Sequence, residues 1–524
     1  MALVLVCAVL LVAACGRGDG ATREARPADP ALVRTATGMV HGVVAPDHRL
    51  FAGIPYAAPP VGVLRWQPPA AAPAWNGVRD ATGFGPRCVQ DPGGDMEHNR
   101  YTSEDCLTLN VWTPPASAER RPVMVWIHGG AFVTGSGGIY DGARLASRGD
   151  IVVVTINYRL GALGFLAHPA LGPAGQVGNY GLLDQQAALR WVRDNIAGFG
   201  GDPDKVTVAG QSAGGMSVCD HLVAPGSAGL FRAAIIQSAP CQAQADLATA
   251  RQRSLEYAAT AGCADPDTAA DCLRALPVDK VRKPVWYFDI GGETLTGPVT
   301  GSDVLPVDPV TAFRQGRVTG VPVLIGTTRD EFTLFAAMRY LRDGVRFTAA
   351  DYPALLAEVF GADAAAVQEH YPLHVFGSAA VAYSAAVTDS AFSCVTDRMA
   401  RDLAGGAPVY AYQFNDREAP APASMRSLPF PVGASHSLDL AYLFTVDGAA
   451  APFDTAQRAL SDQMIDYWSA FVTGGSPSGA GRPDWPALRP DAAGQRMSLQ
   501  PDGSRITTDF DTVHQCRFWA DLQR

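Results

Sequence analysis

The sequence predicts an α/β fold: a mainly parallel, doubly wound sheet with helices on both faces. Three observations carry this. Short runs rich in Val and Ile recur at residues 122–128, 151–157, 205–209, 232–238 and 321–326, and such runs suit strands buried on both faces. Helical stretches lie between several of them, notably 180–196 and 213–222. Residues 205–215 pass from an alternating strand into a proline-free helix through Gly210-Gln211-Ser212-Ala213-Gly214. Large loop and helix insertions are expected around this sheet.

Composition bounds the rest. The chain has 524 residues, 48% of them hydrophobic and 18% charged, which fits a globular protein and excludes wholesale disorder. A net charge of −10 with no basic run excludes a nucleic-acid surface. There is no internal repeat and no Cys/His cluster at zinc spacing, so no metal is expected. Residues 1–14 are almost entirely apolar and too short to span a bilayer. They end in Leu11-Val12-Ala13-Ala14-Cys15-Gly16, the pattern of a bacterial lipobox with Cys15 as the lipidated residue. The expected organisation is a signal peptide at 1–15, a flexible Gly/Pro/Ala-rich tether at 16–31 and a single domain at 32–524, exported and held at the cell surface or secreted. Eight cysteines remain beyond Cys7 and Cys15, an even number that suggests disulfides in an exported protein.

Taken in order, residues 32–44 read as a hairpin around Thr35-Ala36-Thr37-Gly38, followed by strands at 49–56 and 107–112. Beyond the five buried strands, 247–261, 348–371 and 456–472 read as helices, and Pro-rich 419–431 as a long surface loop near the functional site.

The chemistry centres on Ser212. Gly-x-Ser-x-Gly between strand and helix is the nucleophile-elbow pattern: the turn crowds the backbone, exposes the hydroxyl and aims a helix N-terminus at developing negative charge. His128-Gly129-Gly130-Ala131-Phe132 ends an earlier strand, leaving backbone N–H groups bare for an oxyanion together with that of Ala213. A serine needs a base and the base a carboxylate. Of the histidines after Ser212, His221 lies mid-helix; His370, His374, His436 and His514 remain. His436 stands out because Gly433-Ala434-Ser435-His436 is a loop that aims an imidazole. Asp330 and Glu331 both follow the strand at 321–326, and spacing does not choose between them.

From about residue 33 to residue 519 the chain resembles the type-B carboxylesterase/cholinesterase family of α/β-hydrolases. The resemblance rests on Phe199-Gly200-Gly201-Asp202-Pro203 through Gly214, on Glu104-Asp105-Cys106-Leu107-Thr108-Leu109-Asn110-Val111-Trp112, and on Gly53-Ile54-Pro55-Tyr56-Ala57, Asn157-Tyr158-Arg159-Leu160-Gly161 and Gly178-Asn179-Tyr180-Gly181-Leu182. It implies the α/β-hydrolase fold, with Ser212 as nucleophile, Glu331 rather than Asp330 as acid, His436 as base, and Gly130, Ala131 and Ala213 as oxyanion-hole donors. It also implies the pairs Cys88–Cys106, Cys263–Cys272 and Cys394–Cys516, leaving Cys219 and Cys241 unassigned. Asp439 stands where the family usually has Glu, in a supporting network expected to include Ser238, and its shorter side chain leaves room for a water. Gln211 replaces a common Glu and is expected to take no part in the chemistry.

The implied function is a cofactor-free serine ester hydrolase acting on a small-molecule ester. One rival, a binding protein that has lost the serine, is disfavoured by a complete set of Ser212, Glu331 and His436. A second, an interfacial lipase, is not decided by residues. Neutral esters are expected rather than choline esters. The place of the cholinesterase tryptophan falls on Met96, and the surrounding Asp95 to Arg100 hold no aromatic carbocycle for a quaternary ammonium.

Overall fold

The computed structural model describes residues 29–91, 101–173, 175–479, 481–489, 491 and 494–522. The leader, Cys15, most of the tether and Met96 lie outside them.

Eleven strands form the main sheet. In chain order they are β1 (Val43–Val44), β2 (Arg49–Pro55), β3 (Thr108–Thr113), β4 (Arg121–Ile127), β5 (Val152–Ile156), β6 (Gly201–Gln211), β7 (Ala233–Gln237), β8 (Val323–Thr328), β9 (Val409–Phe414), β10 (Arg496–Leu499) and β11 (Arg505–Thr507). Their spatial order is β11-β10-β9-β8-β7-β6-β4-β5-β3-β2-β1. The pairings from β5 through to β10 are parallel, and both margins are antiparallel. All five predicted buried strands lie in this parallel centre.

The Val/Ile runs are explained by what covers each face. In β4, Val123, Val125 and Ile127 point into one apolar cluster while Met124 and Trp126 point into another. The first cluster is closed by α2 (Tyr180–Asn195), α3 (Ala213–Val223) and α4 (Leu247–Thr260); the second by α1 (Ala143–Gly149) and α6 (Thr455–Gly474). Each fully buried Val, Ile or Met contributes about 1.5–3 kcal/mol, so a strand apolar on both sides is anchored twice. Between these helices in sequence, α5 (Thr333–Arg342) follows β8 directly.

Two expectations need correction, and one open point is settled. Only Leu32–Arg34 and Met39–His41 form the hairpin; Val43–Val44 leaves it to edge the main sheet. Residues 348–371 are two helices, Tyr352–Phe360 and Ala364–His370, because Gly361 takes φ +53° between them. Cys219 and Cys241 are joined, making a fourth disulfide beside Cys88–Cys106, Cys263–Cys272 and Cys394–Cys516. It ties α3 to the segment after β7.

Candidate active site

β6 and α3 meet at Ser212, whose backbone is forced to φ +57° and ψ −127°. An L-residue held there stores about 1–3 kcal/mol, and close packing is what holds it. A Cβ on Gly214 would lie 2.0 Å from the carbonyl oxygen of Ile127, and one on Gly210 would lie 2.4 Å from Gly214 itself. The flanking glycines are therefore a steric requirement: α3 starts in contact with the end of β4. The Ser212 N–H is tied to the Gln237 carbonyl on β7 at 2.9 Å.

The predicted oxyanion loop leaves β4 at the same point. A Cβ on Gly129 would sit 3.1 Å from the Ser212 Cβ, so loop and elbow touch. Gly130, Ala131 and Phe132 all have positive φ. Among the described residues the N–H groups of Gly130, Ala131 and Ala213 meet no acceptor. His128 braces this loop: its Nδ1 lies 2.8 Å from the Gly129 carbonyl and its ring stacks on Tyr158. Burial pushes the His128 imidazole down to about 4, so it is neutral, and its Nδ1–H donates to that carbonyl.

Glu331 and His436 meet beside the elbow. Nδ1 of His436 lies 2.5 Å from Oε2 of Glu331, both residues being buried. The other carboxylate oxygen accepts the Thr328 N–H at 2.8 Å, which fixes the rotamer. Asp330, the alternative that spacing left open, points elsewhere. Its carboxylate receives Arg417 through both oxygens, at 2.9 and 3.0 Å, and the Ala434 N–H at 2.9 Å. It grips the backbone of the loop whose imidazole Glu331 orients. Thr333 holds the same loop through Ser435 Oγ at 2.8 Å. The open faces of the His436 ring meet Phe335 and Phe392, with centroids at 5.4 and 5.6 Å. Phe392 comes from a π-helical turn at Asp389–Ser393.

The other histidines are accounted for. His221 is buried between Gln185 and Ser227. His370 stacks on Phe518 at the surface, and His374 is exposed in a short helix. His514 also pairs with a buried carboxylate, Asp389, but its second nitrogen faces Gln413 on β9 and not a residue of the elbow.

The supporting network differs from expectation. Asp439 does not reach Ser238; its Oδ2 accepts the Gln237 side-chain amide at 3.0 Å, and Trp468 Nε1 donates to the same side chain's Oε1 at 2.9 Å. Asp439 Oδ1 and Ser238 Oγ are both buried without a partner among the described residues. The shorter Asp falls short of the serine, and the adjacent strand-end amide takes its place. Burial, and then the nearby Glu331 charge, push the Asp439 carboxyl up to about 7.

Gln211, expected to be idle, is in contact with His436. Its Nε2 lies 3.0 Å from His436 Nε2 and 3.0 Å from Ser437 Oγ. Position next to Ser212 was the one signal available for it; the contact spans 225 residues of chain.

A serine on a strained strand–helix turn, bare backbone N–H groups beside it and a carboxylate-held imidazole, on a parallel sheet, define an ester hydrolase of the α/β-hydrolase fold. Comparison with known proteins agrees. Residues 29–519 match the model of the carboxylesterase family. The chain is 36% identical to the para-nitrobenzyl esterase of Bacillus subtilis (strain 168), over 93% of this chain and 97% of that protein. It is 36% identical to the fumonisin B1 esterase of Sphingopyxis macrogoltabida, over 91% and 87% of the two chains. It is 32% identical to a cocaine esterase of Homo sapiens, over 98% and 94%. Among solved structures it superposes on a thermophilic PNB esterase with a TM-score of 0.79 and 31% identity, covering 94% of this chain and 100% of that one. The chain belongs to the carboxylesterase family and is a carboxylic ester hydrolase.

Proposed function

We propose that this esterase works through an acyl-enzyme on Ser212, with His436 as base, Glu331 as its orienting acid, and the N–H groups of Gly130, Ala131 and Ala213 as the oxyanion hole. His436 takes the Ser212 proton as Oγ attacks the ester carbonyl. The oxyanion is held by the three N–H groups, and His436 returns the proton to the leaving alcohol. Water then repeats the sequence and releases the acid. The observation that carries the reading is the buried Glu331–His436 pair, whose second nitrogen faces the residue preceding Ser212. A fluorophosphonate should label Ser212, and Ser212→Ala should abolish both labelling and ester hydrolysis. Labelling that survives would put the nucleophile elsewhere.

The substrates on this reading are neutral esters. p-Nitrobenzyl and short-chain p-nitrophenyl esters are the first probes, given the named relatives. Met96 at the tryptophan position argues against choline esters. A higher kcat/KM for acetylthiocholine than for p-nitrophenyl acetate would overturn this. The lipobox supports an exported protein carried on a lipidated Cys15, possession of which is tested by the mass of the N-terminal peptide from a bacterial membrane fraction.

A further inference from the structure

We propose that Gln211 is a gate on the catalytic base: in the free enzyme its side-chain amide occupies the nitrogen of His436 that must receive the Ser212 proton. This rests on the reading of Ser212 and His436 given above.

The direction of the contact follows from chemistry. The Glu331 carboxylate accepts only, so Nδ1 of His436 carries the hydrogen between them. In the neutral ring Nε2 is then an acceptor, and the Gln211 atom facing it must be the amide NH2. The same nitrogen donates to Ser437 Oγ, so one amide spans two successive residues of the histidine loop. Gln211 is buried, and the elbow beneath it is fixed by its glycines. Among the described residues, the hydrogen-bond partners of the imidazole are Glu331 and Gln211; the serine hydroxyl is not one of them.

A proton arriving from Ser212 needs the lone pair that Gln211 holds. The amide must therefore withdraw or turn over before or during attack. Turned over, its oxygen faces Nε2 and accepts from the imidazolium, so a glutamine serves both states where a carboxylate serves one. Among the described residues, the titratable groups facing His436 are Glu331 from the turn before α5 and Asp439 from the turn after the loop. Asp330 is neutralised by Arg417, and α5 and the π-helical turn present only Phe335 and Phe392.

Two variants test the gate. Gln211→Met keeps length and removes the donor, freeing Nε2 for the serine. Its second-order rate of labelling by a small dialkyl fluorophosphate, which displaces fluoride with few other contacts, should rise about two- to tenfold, the worth of one neutral hydrogen bond. Gln211→Glu places a carboxylate against the imidazolium, and should move the acidic limb of the kcat/KM profile for p-nitrophenyl acetate to higher pH by about one unit or more. A folded Gln211→Met enzyme that labels at the parental rate or slower would overturn the gate, as would an unmoved acidic limb in Gln211→Glu. If Gln211→Met does not fold, the Glu profile alone decides. Ser212→Ala serves as control: label retained there refutes the nucleophile assignment, whereas label lost there with equal rates in Gln211→Met refutes only the gate.

Discussion

Exchanging Glu331 for Gln and, separately, Asp330 for Asn tests which carboxylate serves the base. In Glu331→Gln the Thr328 N–H still requires an oxygen 2.8 Å away. The amide is thereby oriented with its NH2 towards His436 Nδ1. That nitrogen must then accept, and the ring is driven into the tautomer whose hydrogen sits on Nε2. A base in the wrong tautomer cannot take the serine proton. The corresponding acid-to-amide change in serine proteases costs roughly 10⁴-fold in kcat, which is about 5.5 kcal/mol of transition-state stabilisation. In Asp330→Asn the side-chain oxygen still accepts the Ala434 N–H, and what is lost is half of a pairing with Arg417, itself about half exposed. Such a pairing is worth about 1 kcal/mol or less, so the rate should fall by less than about fivefold. The assay is kcat/KM for a p-nitrophenyl ester at pH 7 to 8, with melting curves to confirm that both variants fold. Equal losses, or a larger loss for Asp330→Asn, would refute the assignment of Glu331.

Further predictions concern stability. Burial pushes His128 to about 4 and His221 to about 3, so the unfolded chain takes up protons first as pH falls below about 6.5. Folding stability should drop between about pH 6.5 and 4 by up to about 1.4 kcal/mol per pH unit for each histidine, measured by urea denaturation. Asp439, raised to about 7, has the opposite sign: the folded form holds its proton longer, so its contribution is lost as pH rises from about 4 to 7. Asp439→Asn should therefore steepen the acid dependence, and an unchanged slope would show that Asp439 is ionised throughout. Gly214→Ala drives a methyl into the Ile127 and His128 carbonyls and should cost about 1–3 kcal/mol or more, together with esterase activity; a variant with parental melting temperature would contradict the close approach.

The centre of the sheet was legible because a strand between two apolar layers has no polar side, and Val and Ile repeat without alternation. The elbow was legible because its glycines are local necessities. The last three strands were not read. β9 breaks its Val and Ala with Tyr, Gln and Phe, and β10 and β11 are short, with Arg496 and Arg505 at their starts, so none carries an unbroken aliphatic signature. Glu331 and Asp330 are neighbours of equal chemistry, and only the direction each takes from the end of β8 separates them. The partners of Gln211 and Asp439 lie 225 and 202 residues away along the chain, where pattern has no reach.

The bridge between Cys219 and Cys241 has a consequence for biogenesis. Both sulfurs are sealed from solvent in the finished molecule. No oxidant reaches them once the elbow helix has docked on the sheet, so the bond must be made while the core is still open. A chain that completes its core in a reducing cytosol would carry two trapped thiols there, whatever oxidising bath it meets later. Preparations from cytosol and from an oxidising compartment would then differ in the link that ties the helix after Ser212 to the segment after β7.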